Sequence, residues 1–386
     1  MRWPSTPVEH LGAFQPAFCP HRECPEHRRT SPGYRFRRHG VYASRKRSRV
    51  PRFLCLTCRH TFSRQTFAVS YYRKRPELMR PVAAGLVAGS AHRQIARSLG
   101  CAPSTVTRLA ARLGRHAILL LAHTLSELGG TVDEPFVLDH FETFEFTQDY
   151  PFGVATPVGA HSWFVYGLDP APHARTGHRS VHQQRRLEAR PRRAARGGYT
   201  GSTRRTLDVL LSLGKPGRSL LIRGDGHPAY DRAVARHPGA GCLVLERYPN
   251  PPRGPKGSPP SAPARVRDQA MFPVDLLHKI LRHTLAHQRR ETIAFGRRLN
   301  AVLERLFVAV VWRNFIKRRS ERRPEPRTPA MCLGLTDAPW DWKRLLSHRL
   351  FFHRLRLPGP WPSLYRRLWT TPVLPFNTTH DLARAF

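Results

Sequence analysis

Two closely spaced cysteine pairs near the N-terminus constrain the fold of this chain most strongly. Four residues separate Cys19 from Cys24, two separate Cys55 from Cys58, and thirty lie between the pairs. Two such pairs can close a tetrahedral thiolate site, which suits zinc. A module this small has little hydrophobic core, so metal binding would supply its folding free energy. We therefore expect a structural zinc ion in a zinc ribbon over residues 1–70.

Other side chains of this module offer alternatives. His21, His27 and His60 could each replace one thiolate, although four cysteines are the expected ligand set. Basic residues crowd the module between the cysteine pairs, which predicts contact with DNA phosphates or simply a solvated face. They are Arg45, Lys46, Arg47, Arg49 and Arg52.

The charge of the chain predicts a polyanionic partner. Its 386 residues include 65 Lys and Arg against 26 Asp and Glu, a formal net charge of +39. Such cations gain free energy by displacing counterions from phosphates. General over-use of Arg explains part of the excess. No apolar run approaches a membrane span of about 20 residues, and no secretory segment is visible. We expect a bacterial cytoplasmic, nucleoid-associated protein without a small-molecule substrate.

A helix-turn-helix is expected within residues 71–130. Ile95 and Leu99 lie on one apolar helix face, Gly100 permits a tight turn, and Pro103 fits the first turn of a second helix. An ordinary helical hairpin has the same pattern, but the charge of the chain favours DNA binding. The side chains left for DNA contact are Ser104, Thr105, Thr107, Arg108 and Arg112.

Two apolar runs end in aspartates. Phe136, Val137 and Leu138 precede Asp139, and a second run from Leu220 reaches Asp225 after 86 further residues. Two strands that each deliver one carboxylate to a common edge would form a divalent-metal site for phosphodiester chemistry.

The order of predicted elements after residue 130 is strands, helix, strand, helix, strand and then long helices. It favours an α/β fold of the ribonuclease-H type, with a mixed sheet and covering helices, over residues 131–320. Residues 172–206 are expected to form a basic insertion, a helix or mobile arm over DNA, and residues 249–264 a loop. Helical spacing begins at Val274. Residues 321–386 are expected to be a tail packed on the core.

In the order of these pieces the chain resembles the DDE-type insertion-sequence transposases that carry a zinc ribbon. The resemblance covers residues 15–320 and includes the four cysteines, the Asp139 strand, the turn at Asp225 and the segment from Arg289 to Phe295. It implies a ribonuclease-H-like core that uses two Mg²⁺ ions and three acidic residues to cut transposon ends and join them to target DNA. The third acid falls on Asp275, with Glu291 and Glu304 as alternatives.

The resemblance implies a transposase that binds double-stranded DNA and self-associates. An alternative is a catalytically decayed copy, or a zinc-ribbon and helix-turn-helix regulator without catalysis. A recombinase with a nucleophilic Ser or Tyr ranks last, because no such residue stands among clustered arginines in a strand context.

Overall fold

The computed structural model describes residues 14–28, 33–44, 47–174, 179–189, 198–252, 254–255, 257–290, 292–322 and 326–373. It confirms a mixed α/β protein with two sheets. The strands are β1 (Phe36–Ser44), β2 (Arg47–Cys55), β3 (Thr61–Ser63), β4 (Phe136–Phe144), β5 (Pro151–Gly159), β6 (Asp169–Pro172), β7 (Leu220–Gly224) and β8 (Leu243–Arg247). The helices are α1 (Met79–Val87), α2 (His92–Ser98), α3 (Pro103–Leu128), α4 (Val181–Glu188), α5 (Gly198–Leu213), α6 (Pro228–Ala235), α7 (Ala262–Thr284), α8 (Leu299–Phe315), α9 (Pro329–Cys332), α10 (Trp342–Leu345) and α11 (Trp361–Tyr365).

The smaller sheet is antiparallel and has the order β1-β2-β3. β2 ends at Cys55, and Cys58 lies in the turn between β2 and β3. Phe53 on β2 lies opposite Phe62 on β3, with ring centroids 5.7 Å apart. This aromatic contact supplies apolar packing in a module that otherwise buries few large side chains.

The larger sheet has five strands in the order β6-β5-β4-β7-β8. β4, β5 and β6 pair antiparallel, whereas β7 lies parallel to β4 and to β8. Parallel strands need crossover connections, and α5 and α6 lie in the two segments that lead into β7 and β8. The carboxyl ends of β4 and β7 consequently point in the same direction.

Helices pack on both faces of this sheet. Asp139 pairs with Thr156 across β4 and β5, and Thr156 contacts His278 of α7. The next residue, His140, contacts Tyr199 of α5 instead, with ring centroids 4.2 Å apart. Successive strand residues point to opposite faces. Asp139 therefore points toward α7, and His140 toward α5 and α6.

One hydrophobic core runs from Val69 to Tyr365, across the boundary expected near residue 130. α3 continues from the turn after α2 into this core and packs against α8. At Gly114 the two helices approach so closely that an added Cβ would lie 2.4 Å from Glu304 Cβ. Glycine permits this approach because it has no side chain.

Several predicted elements are placed differently by the structure. α7 begins at Ala262, where Ser261 caps it by accepting a hydrogen bond from Ala264 N, so Asp275 lies inside the helix. The expectation of a helix start near Val274 was wrong because Pro273 is typical of a first turn but lies here in the helix interior. The expected loop 249–264 accordingly ends at the α7 cap.

Two segments between β4 and β7 also differ from expectation. The second strand of the sheet is β5, which the prolines and glycines in its sequence disguise. The insertion expected at 172–206 contains α4 and the first half of α5. Ser202 on α5 donates a hydrogen bond to Asp169 O, so this part of the segment packs on the sheet.

Residues 340–373 contact both the cysteine module and the core. Arg349 N donates to Phe67 O at 3.0 Å, and Arg354 donates to His27 O. Further along, Trp361 Nε1 donates to Leu168 O at 2.9 Å. Arg367 holds the buried Glu304 through two hydrogen bonds of 2.6 and 2.7 Å. This segment therefore connects the N-terminal module to the main core.

Candidate functional site

The four N-terminal cysteines lie close together with the spacing of a metal site. Their sulfur atoms all lie within 4.8 Å of one another, with Cys19 Sγ 3.7 Å from Cys58 Sγ and Cys24 Sγ 3.8 Å from Cys55 Sγ. Sulfur atoms bound tetrahedrally at the usual Zn–S length are about 3.8 Å apart. The arrangement is compatible with a zinc ribbon, and these residues fit a zinc ion.

The surroundings of these thiols prepare one of them for deprotonation. Burial raises the pKa of Cys24 to about 11. Burial also acts on Cys55, but the hydrogen bond from Cys58 N–H and the nearby Tyr34 hydroxyl outweigh it and lower the pKa to about 7. His27 donates its Nδ1 proton to Cys19 O at 2.8 Å, which occupies that nitrogen. His21 and His60 stack with centroids 4.0 Å apart and form a second close group with Cys58.

The predicted DNA-contacting residues divide into an exposed group and a buried one. Ser104, Thr107 and Arg108 are exposed near the start of α3, and Thr105 is half-buried. The Thr107 hydroxyl donates to Pro103 O at 3.1 Å. The first turns of α3 therefore present polar side chains to solvent.

Arg112 is a correction to the predicted set. It is 1% exposed, and its Nε donates to Val69 O at 2.6 Å. Burial, with the nearby charges of Arg73 and Arg349, lowers its pKa to about 9. Because α3 enters the core after its first turns, Arg112 stabilises the fold and cannot reach DNA.

Asp139 lies on β4, and Asp225 directly follows the neighbouring parallel strand β7. Val137 on β4 pairs with Arg223 on β7, so each aspartate follows its paired residue by two positions. Equivalent positions on parallel strands point to the same face. The structure therefore brings these two side chains close together. The sequence suggested that Asp139 follows the end of its strand, but it lies within β4. Asp225 Oδ1 accepts a hydrogen bond from His227 N at 3.0 Å.

The electrostatics of this pair are unusual for so basic a protein. Burial, the neighbouring Asp225 and the more distant Asp275 raise the pKa of Asp139 to about 7. Among the residues that the structure describes, no Lys or Arg forms an ion pair with Asp139 or Asp225. Arg267 acts on Asp139 only from a distance, where its charge lowers the pKa of that carboxyl. Two adjacent carboxylates without a direct Lys or Arg ion pair are a fitting place for a divalent cation.

The third predicted acid has a basic partner. Asp275 lies on α7 and is paired through both carboxylate oxygens with Arg267 of the same helix. Its alternative Glu291 lies outside the described residues. The other alternative, Glu304, is excluded, because it is buried, paired with Arg367 and packed against Gly114 of α3. Asp275 is the predicted third acid that the structure leaves near Asp139.

His278, one helical turn beyond Asp275, is the α7 side chain that contacts Asp139. Its Nδ1 lies 3.6 Å from Asp139 Oδ2, and its Nε2 lies 2.8 Å from Thr156 Oγ1. Burial lowers the pKa of His278 to about 3, which keeps the imidazole neutral. Sequence reasoning missed His278. Its only signal was the spacing of three residues from Asp275, which places both on one helix face.

An aromatic cluster adjoins the opposite face of β4. Tyr199 stacks on His227 with ring centroids 5.0 Å apart, and His140 stacks on Tyr230 at 5.7 Å. The Tyr199 hydroxyl donates to Glu142, whose pKa is raised to about 7 by burial and by Asp139, although its side chain is half exposed. Tyr230 links this cluster to the aspartates, because its hydroxyl lies 3.0 Å from His140 Nδ1 and 3.5 Å from Asp139 Oδ1.

The three aspartates are spaced more widely than the cysteines. Within the described ranges, sets of three or more possible ligand atoms closer than 4.8 Å are confined to the N-terminal module. Asp139, Asp225 and Asp275 influence one another electrostatically without forming so tight a set.

None of the described helices is long and apolar enough to cross a membrane.

Comparisons of the chain with protein-family models, with curated proteins and with solved structures found no match.

Proposed function

We propose that this protein is a DDE-type transposase, a metal-dependent polynucleotidyl transferase that cuts and joins DNA. The observation that carries the proposal is the pair formed by Asp139 and Asp225. They lie at equivalent positions of parallel strands, without a described basic ion-pair partner, in a chain of net charge +39. A protein with so many arginines would neutralise two structural carboxylates readily, so the lack of a direct Lys or Arg ion pair among the described residues favours a role in binding a cation.

The strand order supports a ribonuclease-H-like core. Three antiparallel strands, β4 to β6, are followed by two parallel strands with a helix in each crossover. α7 then crosses the face to which Asp139 points and carries Asp275 toward it. This arrangement favours a third ligand from a late helix, as the resemblance to DDE-type transposases implies.

The proposed chemistry assigns separate tasks to the aspartates and to the surrounding arginines. Asp139, Asp225 and Asp275 would together hold the divalent cations. Bound Mg²⁺ would supply an activated water or 3′-hydroxyl and would offset charge on the leaving oxygen. The hydrogen bonds between Asp275 and Arg267 would first have to break before Asp275 could hold an ion. The surrounding arginines would neutralise the DNA backbone without reading its sequence.

DNA recognition would fall to the N-terminal half. Ser104, Thr107 and Arg108 are exposed at the start of α3, where a recognition helix presents its first turns to the major groove. A zinc ion in the cysteine site would keep the adjoining sheet folded. We further propose that two or more copies assemble on paired transposon ends.

A second candidate is a DNA-binding regulator or decayed copy. The pairing of Asp275 with Arg267 favours it, because a carboxylate held by a guanidinium on its own helix is a poor ion ligand. Binding without cleavage would distinguish this candidate from a transposase.

The test uses zinc-loaded protein and a supercoiled plasmid that carries the DNA flanking its coding sequence. Band-shift measurements report binding, and conversion of the plasmid to nicked or linear DNA reports cleavage. The proposal predicts binding in all buffers and cleavage only with Mg²⁺ or Mn²⁺. Binding without cleavage in either metal would favour the regulator.

A further inference from the structure

The contact between His278 and Asp139 is not an ordinary hydrogen bond. Nδ1 and Oδ2 lie 3.6 Å apart, whereas a hydrogen bond between such atoms is about 2.7–3.2 Å long. The close approach of these two side chains therefore needs an explanation other than a hydrogen bond.

Thr156 determines which nitrogen of His278 carries the proton. The Thr156 hydroxyl donates its hydrogen to Asp139 O at 2.9 Å. Since a hydroxyl has a single hydrogen, Thr156 Oγ1 must accept in its 2.8 Å contact with His278 Nε2. Nε2 therefore holds the proton, and Nδ1 presents a lone pair to the Asp139 carboxylate.

Two electron-pair donors that face each other at this distance suit a shared cation. An ion about 2.1 Å from both atoms would hold them about 3.0 Å apart at a right angle and about 3.4 Å apart at a tetrahedral angle. The observed 3.6 Å is slightly wider, and a small side-chain rotation closes the difference. Histidine ligands generally donate their other ring N–H to a fixed acceptor, and Thr156 is such an acceptor.

We propose that His278 and Asp139 bind one divalent cation together and that this site prefers Mn²⁺ to Mg²⁺. The inference rests on the proposed function and names a ligand of the same site. His278 is free to bind from α7, whereas Asp275 on that helix is paired with Arg267. Mg²⁺ takes oxygen ligands, whereas a mixed carboxylate and imidazole pair suits a first-row transition ion. Among these ions Mn²⁺ also shares the affinity of Mg²⁺ for carboxylates.

The test measures Mn²⁺ binding to the full chain with its cysteine site loaded with zinc. Electron paramagnetic resonance of free Mn²⁺ gives the affinity, and added Mg²⁺ gives the preference. His278→Ala is expected to weaken Mn²⁺ binding about tenfold or more. His283→Ala is the matched control, because His283 is exposed on the same helix, and it should bind Mn²⁺ like wild type.

Thr156→Val provides a second variant that keeps both ligands. It removes the acceptor that orients His278, so about a tenfold loss of Mn²⁺ affinity is expected. This variant decides the question if His278→Ala does not fold, as judged by thermal unfolding. Folded His278→Ala and Thr156→Val proteins with wild-type Mn²⁺ affinity would overturn the proposal, as would tighter binding of Mg²⁺ than of Mn²⁺ by wild type.

Plasmid cleavage by the same preparations separates this proposal from the transposase. Mn²⁺ binding that depends on His278, without cleavage by wild type, would support the metal site and contradict the transposase. Cleavage that survives His278→Ala, with Mn²⁺ affinity unchanged, would overturn the metal-site proposal and leave the transposase intact.

Discussion

Asp139 and Asp225 follow the paired residues Val137 and Arg223 by the same two positions on adjacent parallel strands. This register is a property of the sheet, since a slip of one residue would turn one carboxylate to the opposite face. Asp139 also faces α7. Thr156 of β5 donates a hydrogen bond to Asp139 O and contacts His278 of α7, so the site includes residues of the sheet and of the helix. Two residues 86 positions apart in the sequence are thus brought to one location by strand pairing.

The pH dependence of stability should reveal the unneutralised Asp139. Its pKa is raised from 3.8 to about 7 by burial and by Asp225. Because the folded state then binds the proton more tightly than the unfolded state, this group's contribution to stability falls as pH rises from about 4 to 7. The loss is on the order of a few kcal/mol at most.

Thermal unfolding of zinc-loaded wild type and Asp139→Asn at pH 5 and pH 8, without Mg²⁺ or Mn²⁺, measures this contribution. The Asn variant should gain stability relative to wild type at the higher pH, and Mn²⁺ should stabilise only the wild type. A difference between the two proteins that does not change with pH would contradict the assigned environment.

The cysteine site should hold a single zinc ion per chain. Cys55→Ser removes one of four close thiolates, so most of the zinc should be lost, together with ordered structure in the N-terminal module. Cys242→Ser is the control, because Cys242 is an exposed free thiol distant from the site. Elemental analysis and circular dichroism measure both effects. Equal zinc content in the two variants would argue against a cysteine-bound ion.

Arg108 and Arg112, one helical turn apart on α3, should respond differently to substitution. Arg108→Ala should leave stability unchanged, weaken DNA binding and reduce its salt dependence by about one counterion. Arg112→Ala leaves Val69 O without its donor and opens a cavity, so a loss of about 2 kcal/mol in the free energy of unfolding is expected. Salt titrations of DNA binding and chemical denaturation measure these effects. An Arg112→Ala protein of wild-type stability that binds DNA poorly would reverse this assignment.

The sequence predicted the local features of the fold well. Cysteine spacing indicated a metal module, and Gly100 and Pro103 marked the turn between two helices. What a single sequence could not provide was the environment of each position. Arg112 has the four-residue spacing from Arg108 that suggests a shared exposed face, yet α3 is covered by the core beyond its first turns.

The candidate site shows the same limit. Apolar runs ending at Asp139 and Asp225 identified two side chains that the structure brings together. The contact of His278 with Asp139 spans 139 positions and depends on how α7 crosses the sheet, which no local pattern reports. Pro273 also obscured that helix, since proline indicates a helix start more often than a helix interior.

Close packing of α3 against α8 should make Gly114 intolerant of any side chain. Gly114→Ala places a Cβ within 2.4 Å of Glu304 Cβ, so the helices must separate. We expect a loss of about 1–3 kcal/mol in the free energy of unfolding. Gly201→Ala is the control, because its nearest contact is the flexible end of Arg205 at 3.4 Å. Chemical denaturation that finds both variants equally stable would contradict this packing.

Cleavage of the flanking-DNA plasmid by wild type, Asp139→Asn and Asp225→Asn shows whether the two carboxylates are needed to cut DNA. These substitutions remove the charge of each carboxylate with little change in shape, so folding and DNA binding should persist. We expect wild type to nick or linearise the plasmid in Mg²⁺ or Mn²⁺, and we expect both variants to bind the DNA but not to cleave it. Cleavage by either variant at the wild-type rate, or no cleavage by wild type that binds the DNA, would contradict the proposed function.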